Sequence, residues 1–497
     1  MNDQLILAID QGTTNTKAIA LDASGKIVAQ ASVPMLVSYP QPGWAEQSAY
    51  EIWHSVQQVI AQTLTKLSGP IAAVAISNQR ETIVVWDAVT GKPVGPAIVW
   101  QCRRSADRCA ALRAAGHTDL VVARTGLTLD PLFPAAKLAW LLDQTPEARA
   151  KAERGDLRAG TVDSWLLWNL TGGAVHATDH SNASRTQLYD TLTLAWSEEL
   201  GKLFGVPVGI LPQVLPSDSR FGEVAAGVSA LPAGIPIHAL LGDSHAALYG
   251  HGVRASGMAK ATYGTGSSLM TLTGKRAVSQ HGLSGTIAWS TRDGGIVYAL
   301  EGNISVSGQA AAFMAELLGL EGAEQLSELA GSVGDTNGCV FVPALVGLGA
   351  PYWRADARGV ITGLSLGTKR AHLARAALEA IAFQVADVLN AMMADLGSPV
   401  SMLSVDGGAS RNDSLMQLQA DLTNCTLIRG AAAEVSAIGA AMLAASGAGW
   451  GEIPRLGEIH EFHPRMPAHD RAVAMDRWRR ALSQALHDTS GSTELQP

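Results

Sequence analysis

Residues 5–22, LILAIDQGTTNTKAIALD, place an acid, Asp10, at the end of an apolar run. Gly12, Thr13 and Thr14 follow, then Lys17, then a second apolar run. The pattern predicts a β-hairpin. Successive backbone N–H groups in such a turn form an anion nest, and small residues leave it open. The threonine hydroxyls add donors, and Lys17 adds a point charge able to reach a phosphate oxygen. Asp10 would hold a hydrated Mg²⁺ that bridges phosphates. Together these groups supply what a nucleoside triphosphate needs. A polar turn that binds nothing has the same composition, and from this stretch alone the two readings stand level.

Other strand ends repeat the design. ATYGTGSSLMTLTG (261–274) is again strand, Gly-Thr-Gly turn, strand, so Gly264-Thr265-Gly266 offers a second nest. MLSVDGGASRND (402–413) ends a buried strand in Gly407 and Gly408, which let backbone approach a flat base and sugar. LLGDSHAAL (240–248) ends another in Asp243. Taken alone, Asp243 reads sooner as a cap on the following helix. IAAVAISNQRE (71–81) ends in Arg80 and Glu81, which alone read as an ion pair. Open α/β sheets bind ligands at such strand ends.

These ends must be positioned by alternating strands and helices. Ser48 and Glu51 form a capping box, and Ile52, Val56, Val59, Ile60 and Leu64 then line one helix face. Leu373, Ala377, Ile381, Val385 and Leu389 mark a second long helix. The expected class is α/β with an internal duplication, each half carrying its own phosphate-type hairpin and its own core. The division is expected near residues 250–255: residues 1–252 as one domain, 253–485 as the other, and a polar tail at 486–497. Two carboxylates distant in the chain, Asp10 and Asp243, are expected to meet across one groove with a triphosphate between them.

With 497 residues, the chain exceeds the size at which one core stops growing. A net charge of −8 argues against nucleic acid or an anionic membrane as partner. No apolar run approaches the ~18 residues of a spanning helix, and no signal peptide is visible. The four cysteines, Cys102, Cys109, Cys339 and Cys425, form no CxxC pair and read as reduced, buried and cytoplasmic.

The segments DQGTT, SNQRET, IVWQCRR, SNASRT, YGTGS, VPALVGLGAPYW, GLSLGTKRAHLARAALEAIAFQ and VDGGASRN resemble the FGGY carbohydrate kinases, most of all their glycerol-kinase branch. The resemblance runs from about residue 5 to about residue 445. It implies two actin/Hsp70-like, ribonuclease H-type domains, with ATP and a sugar or polyol in the cleft between them. It gives Asp243 the role of general base and puts Asp10 and Asp243 at a Mg²⁺ site. It assigns Thr13, Thr14, Asn15, Lys17, Thr265, Gly266, Gly308, Gly408 and Asn412 to the nucleotide. It assigns Arg80, Glu81, Trp100, Leu132, Ser244 and Ser268, with Asp243, to the substrate. Family members are often dimers or tetramers, so a homodimer or homotetramer is expected.

Three positions depart from the glycerol branch. Leu132 replaces a tyrosine, Ser244-His245 replaces two glutamines, and Ser268 replaces a phenylalanine. Losing two aromatic rings is expected to open the pocket toward a four- or five-carbon polyol or ketose. His245 is assigned no role. GVSALPAGIP (227–236) lacks the basic residue of the loop that binds a sugar-bisphosphate inhibitor in some relatives, so no such inhibition is expected. A chaperone or filament protein on the same nucleotide-binding fold is the rival class, and a catalytically dead sugar sensor a third. Neither uses Arg80, Glu81 and Asp243 together.

Overall fold

The computed structural model describes residues 4–144, 146–454 and 457–487. The hairpin forms as expected, from β1 (Leu5–Gln11) and β2 (Asn15–Leu21). β3 (Ile27–Pro34) extends it, while β4 (Ile71–Asn78) and β5 (Pro236–Gly242) lie parallel to β1 on its other side. The order is β3-β2-β1-β4-β5, closed by the short antiparallel edge Gly222–Glu223. β1 and β4 are apolar almost throughout because helices cover both sheet faces.

The second sheet repeats this plan. β6 (Met258–Tyr263) and β7 (Ser267–Leu272) form its hairpin, and β8 (Ser284–Thr291) and β9 (Gly295–Ile304) extend it. β10 (Met402–Asp406) and β11 (Thr426–Gly430) run parallel to β6. The order β9-β7-β6-β10-β11, with the antiparallel edge Ile459–Phe462, reproduces the first sheet strand for strand, and β8 is added outside β9. The internal duplication inferred from two hairpins therefore extends to whole sheets.

Helices fill the connections: α1 (Ala49–Leu64), α2 (Pro134–Asp143), α3 (His180–Ala183), α4 (Asp243–Gly250), α5 (Gly308–Leu317), α6 (Arg370–Leu396), α7 (Asp413–Thr423), α8 (Val435–Gly447) and α9 (Ala468–Leu486). The Ser48 hydroxyl accepts from the Glu51 amide at the start of α1. Among the described residues α6 is the helix long and apolar enough to cross a membrane, which the run-length reading passed over. Its middle, Ala380–Leu389, is buried in the second half's core. The expected polar tail begins on the last residue of α9, Leu486, and from residue 488 it lies outside the described residues.

Each half has a core of its own, one within residues 5–240 and one within 259–485. A third cluster was not expected. Ile6, Ala8, Ala73 and Ala239 on the first sheet pack with Ala437, Ala440, Ala441 and Ala444 of α8, and Met270, Ala288 and Ala299 of the second sheet join them. Helix α8 is apolar all round, as a helix buried between two layers must be. Its small side chains allow the close approach to α4: a Cβ on Gly439 would lie 1.9 Å from the Ala246 carbonyl oxygen.

Candidate active site

The ends of β1, β4 and β5 lie side by side. Asp10 is in register with Ser77, and Gly242 with Asn78. Asp10, Arg80, Glu81 and Asp243 therefore emerge along one lip. This corrects the expectation of carboxylates facing each other across a groove: both belong to the same sheet, one strand apart. The Ser77 hydroxyl donates to Asp10 Oδ1 at 2.7 Å. Burial lifts the Asp10 carboxyl to about 6 against that hydrogen bond, and the nearby Asp243 charge adds to the rise. Each acid thus feels the other, as members of one site do.

Asp243 is not a helix cap. The cap position is Gly242, and Asp243 opens α4 as its first residue. Its Oδ1 accepts from the Ser244 amide at 2.6 Å and from Arg80 Nε at 3.1 Å, and 38% of the side chain remains exposed. Burial raises its carboxyl above the ordinary range, although Arg80 opposes the shift. A general base needs this combination of open access and a raised pKa.

Arg80 and Glu81 are not a surface pair; both are buried. The Arg80 guanidinium forks onto Glu301 of β9, with Nη1 to Oε2 at 2.8 Å and Nη2 to Oε1 at 2.7 Å. Glu301 also pairs with Arg185 at 2.8 Å, and Arg185 Nε donates to Glu81 Oε1 at 2.7 Å. Burial alone would raise the Glu301 carboxyl, but Arg185 and Arg80 hold it well below the usual carboxylate range. Glu81 has a left-handed backbone, φ 59°, a costly conformation for a non-glycine residue and one concentrated at functional sites. Arg185 lies over the Phe133 ring at 5.2 Å, which brings the loop carrying Leu132 beside this network. Lys137 of α2 donates to the Leu132 carbonyl at 2.7 Å, and burial pushes its ammonium down to about 7.

The substrate-side substitutions do not leave bare space. Ser244 and Ser268, from opposite halves, meet at 3.1 Å. Ser268 also donates to Glu301 Oε1 at 3.0 Å and accepts from Lys260 Nζ at 3.2 Å. His245 is fully buried, hydrogen-bonds Thr286 at 3.0 Å, and is held well below its ordinary range by burial and by Arg80. It is a neutral structural group between the halves. The Trp100 indole donates to the Thr13 hydroxyl at 2.9 Å, and Thr13 donates to Gln79 Oε1 at 3.2 Å. Thr13 therefore ties the anion nest to the substrate wall.

The second half supplies backbone rather than charge. Thr265 and Gly408 are exposed at their loop tips, and nothing lies within 4 Å of a Cβ built on Gly408. Gly266 and Gly308 are glycine for packing: a Cβ there would lie 2.4 Å from the Ile304 oxygen or 2.6 Å from the Gly264 oxygen. Gly407 has φ 88°, and its Cβ would lie 2.4 Å from the Tyr263 oxygen. Asn412 caps α7 by accepting from the Leu415 amide and donates to Ser327. Thr14 is exposed, with Asn15 beside it donating to its hydroxyl at 3.3 Å. Lys17 pairs with Glu434, at the start of α8, at 2.7 Å.

The assigned residues thus gather along two facing sets of strand ends. Sequence reasoning missed the charges that hold them: the buried Arg185, Glu301, Lys260 and Lys137, and the partly exposed Glu434. Two of these carried a local signal, since Glu301 and Lys260 are single charges inside apolar strands.

The chain matches the FGGY family of carbohydrate kinases, its N-terminal domain over residues 5–250 and its C-terminal domain over residues 259–448. It is 48% identical to an apulose kinase of Pectobacterium atrosepticum, over 98% of this chain and 99% of that protein. It is 47% identical to a glycerol kinase of Symbiobacterium thermophilum, again over 98% and 99%. Among solved structures, Plasmodium falciparum glycerol kinase with ADP superposes with a TM-score of 0.91 at 33% identity, covering 98% of this chain and 99% of that one. The fold also matches a ligand-bound xylulose kinase from Lactobacillus acidophilus, TM-score 0.89.

Proposed function

Because this chain belongs to the FGGY family of carbohydrate kinases, and so is an ATP-dependent sugar or polyol kinase, we propose that its acceptor is a four- or five-carbon ketose or polyol rather than glycerol. The observation that carries this reading is the wall made by Ser244, Ser268 and Leu132. At Ser244 and Ser268 it presents two hydroxyls, and at Leu132 and Ser268 it lacks the two aromatic rings with which the glycerol branch is expected to pack a triol. The ending of the name apulose kinase, given to a relative 48% identical, marks a ketose and agrees with this reading.

Asp243 takes the proton of the attacking hydroxyl. That oxygen bonds to the γ-phosphorus as the bond to the β–γ bridging oxygen breaks, leaving ADP. Arg80 and Glu81 orient the substrate: the guanidinium donates and the carboxylate accepts, so vicinal hydroxyls satisfy both. Backbone N–H groups of Thr13 and Thr14 and of Thr265 and Gly266 receive the phosphates, while the Gly12 and Gly264 amides close their own turns, with Gly308, Gly408 and Asn412 along the nucleotide.

Asp10 and Asp243 would hold Mg²⁺. Among the described residues no group of three or more His, Cys, Asp or Glu is placed for a metal. A pair of partly exposed carboxyls at the ends of two strands of one sheet is nevertheless what a hard cation sharing its shell with phosphates and water requires. Bound there, Mg²⁺ would neutralise charge on the transferring phosphoryl group. We put the domain boundary at about residues 252/253, a reading that the separate sheets before and after it support, and free buried cysteines agree with a cytoplasmic enzyme. A homodimer or homotetramer and the absence of sugar-bisphosphate inhibition remain parts of this proposal.

A coupled ADP-release assay over C3–C6 polyols and ketoses tests it. The expected result is a higher kcat/KM for a four- or five-carbon acceptor, with Leu132→Tyr plus Ser268→Phe shifting preference toward glycerol by about tenfold. Glycerol as the best substrate, unmoved by the double substitution, would establish the second reading, a true glycerol kinase, which the 47% identical relatives favour.

A further inference from the structure

Ser268 Oγ has three polar neighbours: Glu301 Oε1 at 3.0 Å, Lys260 Nζ at 3.2 Å and Ser244 Oγ at 3.1 Å. Their chemistry fixes where each proton lies. A carboxylate only accepts, and Glu301, forked by Arg80 and paired with Arg185, is a carboxylate. An ammonium only donates. The single Ser268 proton therefore goes to Glu301. The Ser268 oxygen then accepts from Lys260 and from Ser244. Reversing the order would set two oxygens against each other at 3.0 Å with no proton between them.

The Ser244 proton is thereby committed to Ser268, and the Ser244 oxygen keeps only accepting capacity. The Ser244 backbone is held as well, because its amide donates to Asp243 Oδ1 at 2.6 Å. The partly exposed Ser244 hydroxyl thus stands beside the base that receives the attacking hydroxyl's proton.

We propose that Ser268, held by Glu301 and Lys260, is a specificity-determining positioning residue that makes Ser244 an acceptor. The enzyme therefore requires a hydroxyl, not a carbonyl, on the carbon next to the one it phosphorylates. A ketose is accordingly phosphorylated at the end remote from its carbonyl. This rests on the kinase reading and adds the position of transfer to it. A carbonyl oxygen at that place would set its lone pairs against those of the Ser244 oxygen.

Erythrulose carries both kinds of end in one molecule, since C1 adjoins the carbonyl and C4 adjoins a hydroxyl. Purified full-length enzyme with Mg-ATP is given erythrulose, and the products are assigned by phosphorus and proton NMR. Wild type is expected to favour the C4 phosphate at least about tenfold, the effect of one unpaired polar group. Ser268→Ala frees the Ser244 proton and brings the ratio several-fold toward unity, whereas Ser268→Thr preserves it. The ratio is internal to one reaction, so loss of folded enzyme does not move it.

Predominant C1 phosphate, or an unchanged ratio in Ser268→Ala, overturns the proposal while leaving the kinase reading intact. Turnover of glycerol but of no ketose sinks the ketose reading. The proposal then stands only if Ser268→Ala raises turnover of dihydroxyacetone relative to glycerol. No turnover of erythrulose, xylulose, ribulose or glycerol overturns both.

Discussion

The two hairpins are copies that have parted company. In β1–β2, Asp10 stands two residues before the turn glycine and pairs in register with Lys17. In β6–β7 the same places hold Thr262 and Ser268, also paired in register. The strand beside each hairpin differs likewise, with Arg80 and Glu81 just beyond β4 but Gly407 and Gly408 beyond β10. One copy presents charge and the other presents hydroxyls and bare backbone. In the function proposed, a single scaffold would thus separate two tasks, activating an acceptor and cradling a nucleotide, by changing the residues at its strand ends.

If that division holds, substitutions in the two copies should fail differently. Asp243→Asn removes the base and should lower kcat by about 10²–10⁴-fold, with the nucleotide's KM nearly unchanged. An unaltered kcat would return Asp243 to a structural role. Gly407→Ala should act through the fold and the nucleotide. At φ 88°, with a Cβ 2.4 Å from a carbonyl oxygen, alanine is strained by about 1–3 kcal/mol. Urea unfolding should show that loss, and steady-state kinetics a raised KM for ATP. A Gly407→Ala enzyme that lost only kcat would erase the distinction.

Acid sharpens the comparison, because the titrating groups lie in the first copy. The Asp10 carboxyl is lifted to about 6, and a metal needs it charged. Its charged fraction drops about tenfold per pH unit below that value, so the Mg²⁺ concentration for half-maximal rate should rise as pH falls from 7 to 5. Excess Mg²⁺ should restore that part of the rate. Asp243, also raised, is the other proposed ligand, so its protonation adds to the same Mg²⁺-dependent limb. Rates measured at several Mg²⁺ concentrations across this range check this, and an acid limb insensitive to Mg²⁺ would remove Asp10 from the metal site.

What the sequence made legible follows the same line. Both hairpins, α1 and α6 could be read because their signals are local: apolar runs, a capping serine, and acids or glycines where a run ends. Arg185 and Glu301 were not given roles because each pairs with a residue from the other half of the chain, and Lys260 because a lone charge in a strand does not say what it pairs with. Helix α8 was hidden for a similar reason. Its alanines look like an ordinary apolar helix, and nothing within residues 435–447 says that they pack on β1, β4 and β5 as well as near their own sheet. Removing two aromatic side chains from the pocket suggested open space, yet Ser268, in place of one of them, closes on Ser244 at 3.1 Å.

The smallest expected effect concerns the contact that joins the copies, Lys17 with Glu434. The pair is partly exposed, 33% and 19% by side chain, so its strength is that of a screened ion pair, about 0.2–1 kcal/mol. A phosphate oxygen approaching Lys17 competes with the Glu434 carboxylate for the same ammonium. Glu434→Gln should therefore lower the KM for ATP by about 1.5- to 5-fold at low salt, and the difference should shrink as ionic strength rises. kcat should scarcely move, because neither side chain touches the acceptor hydroxyl or Asp243. If the KM for ATP instead rises in Glu434→Gln, the carboxylate holds Lys17 in place for the phosphate rather than against it. The second copy would then supply charge to the nucleotide site after all, and the division between charged and backbone halves would have to be redrawn at α8.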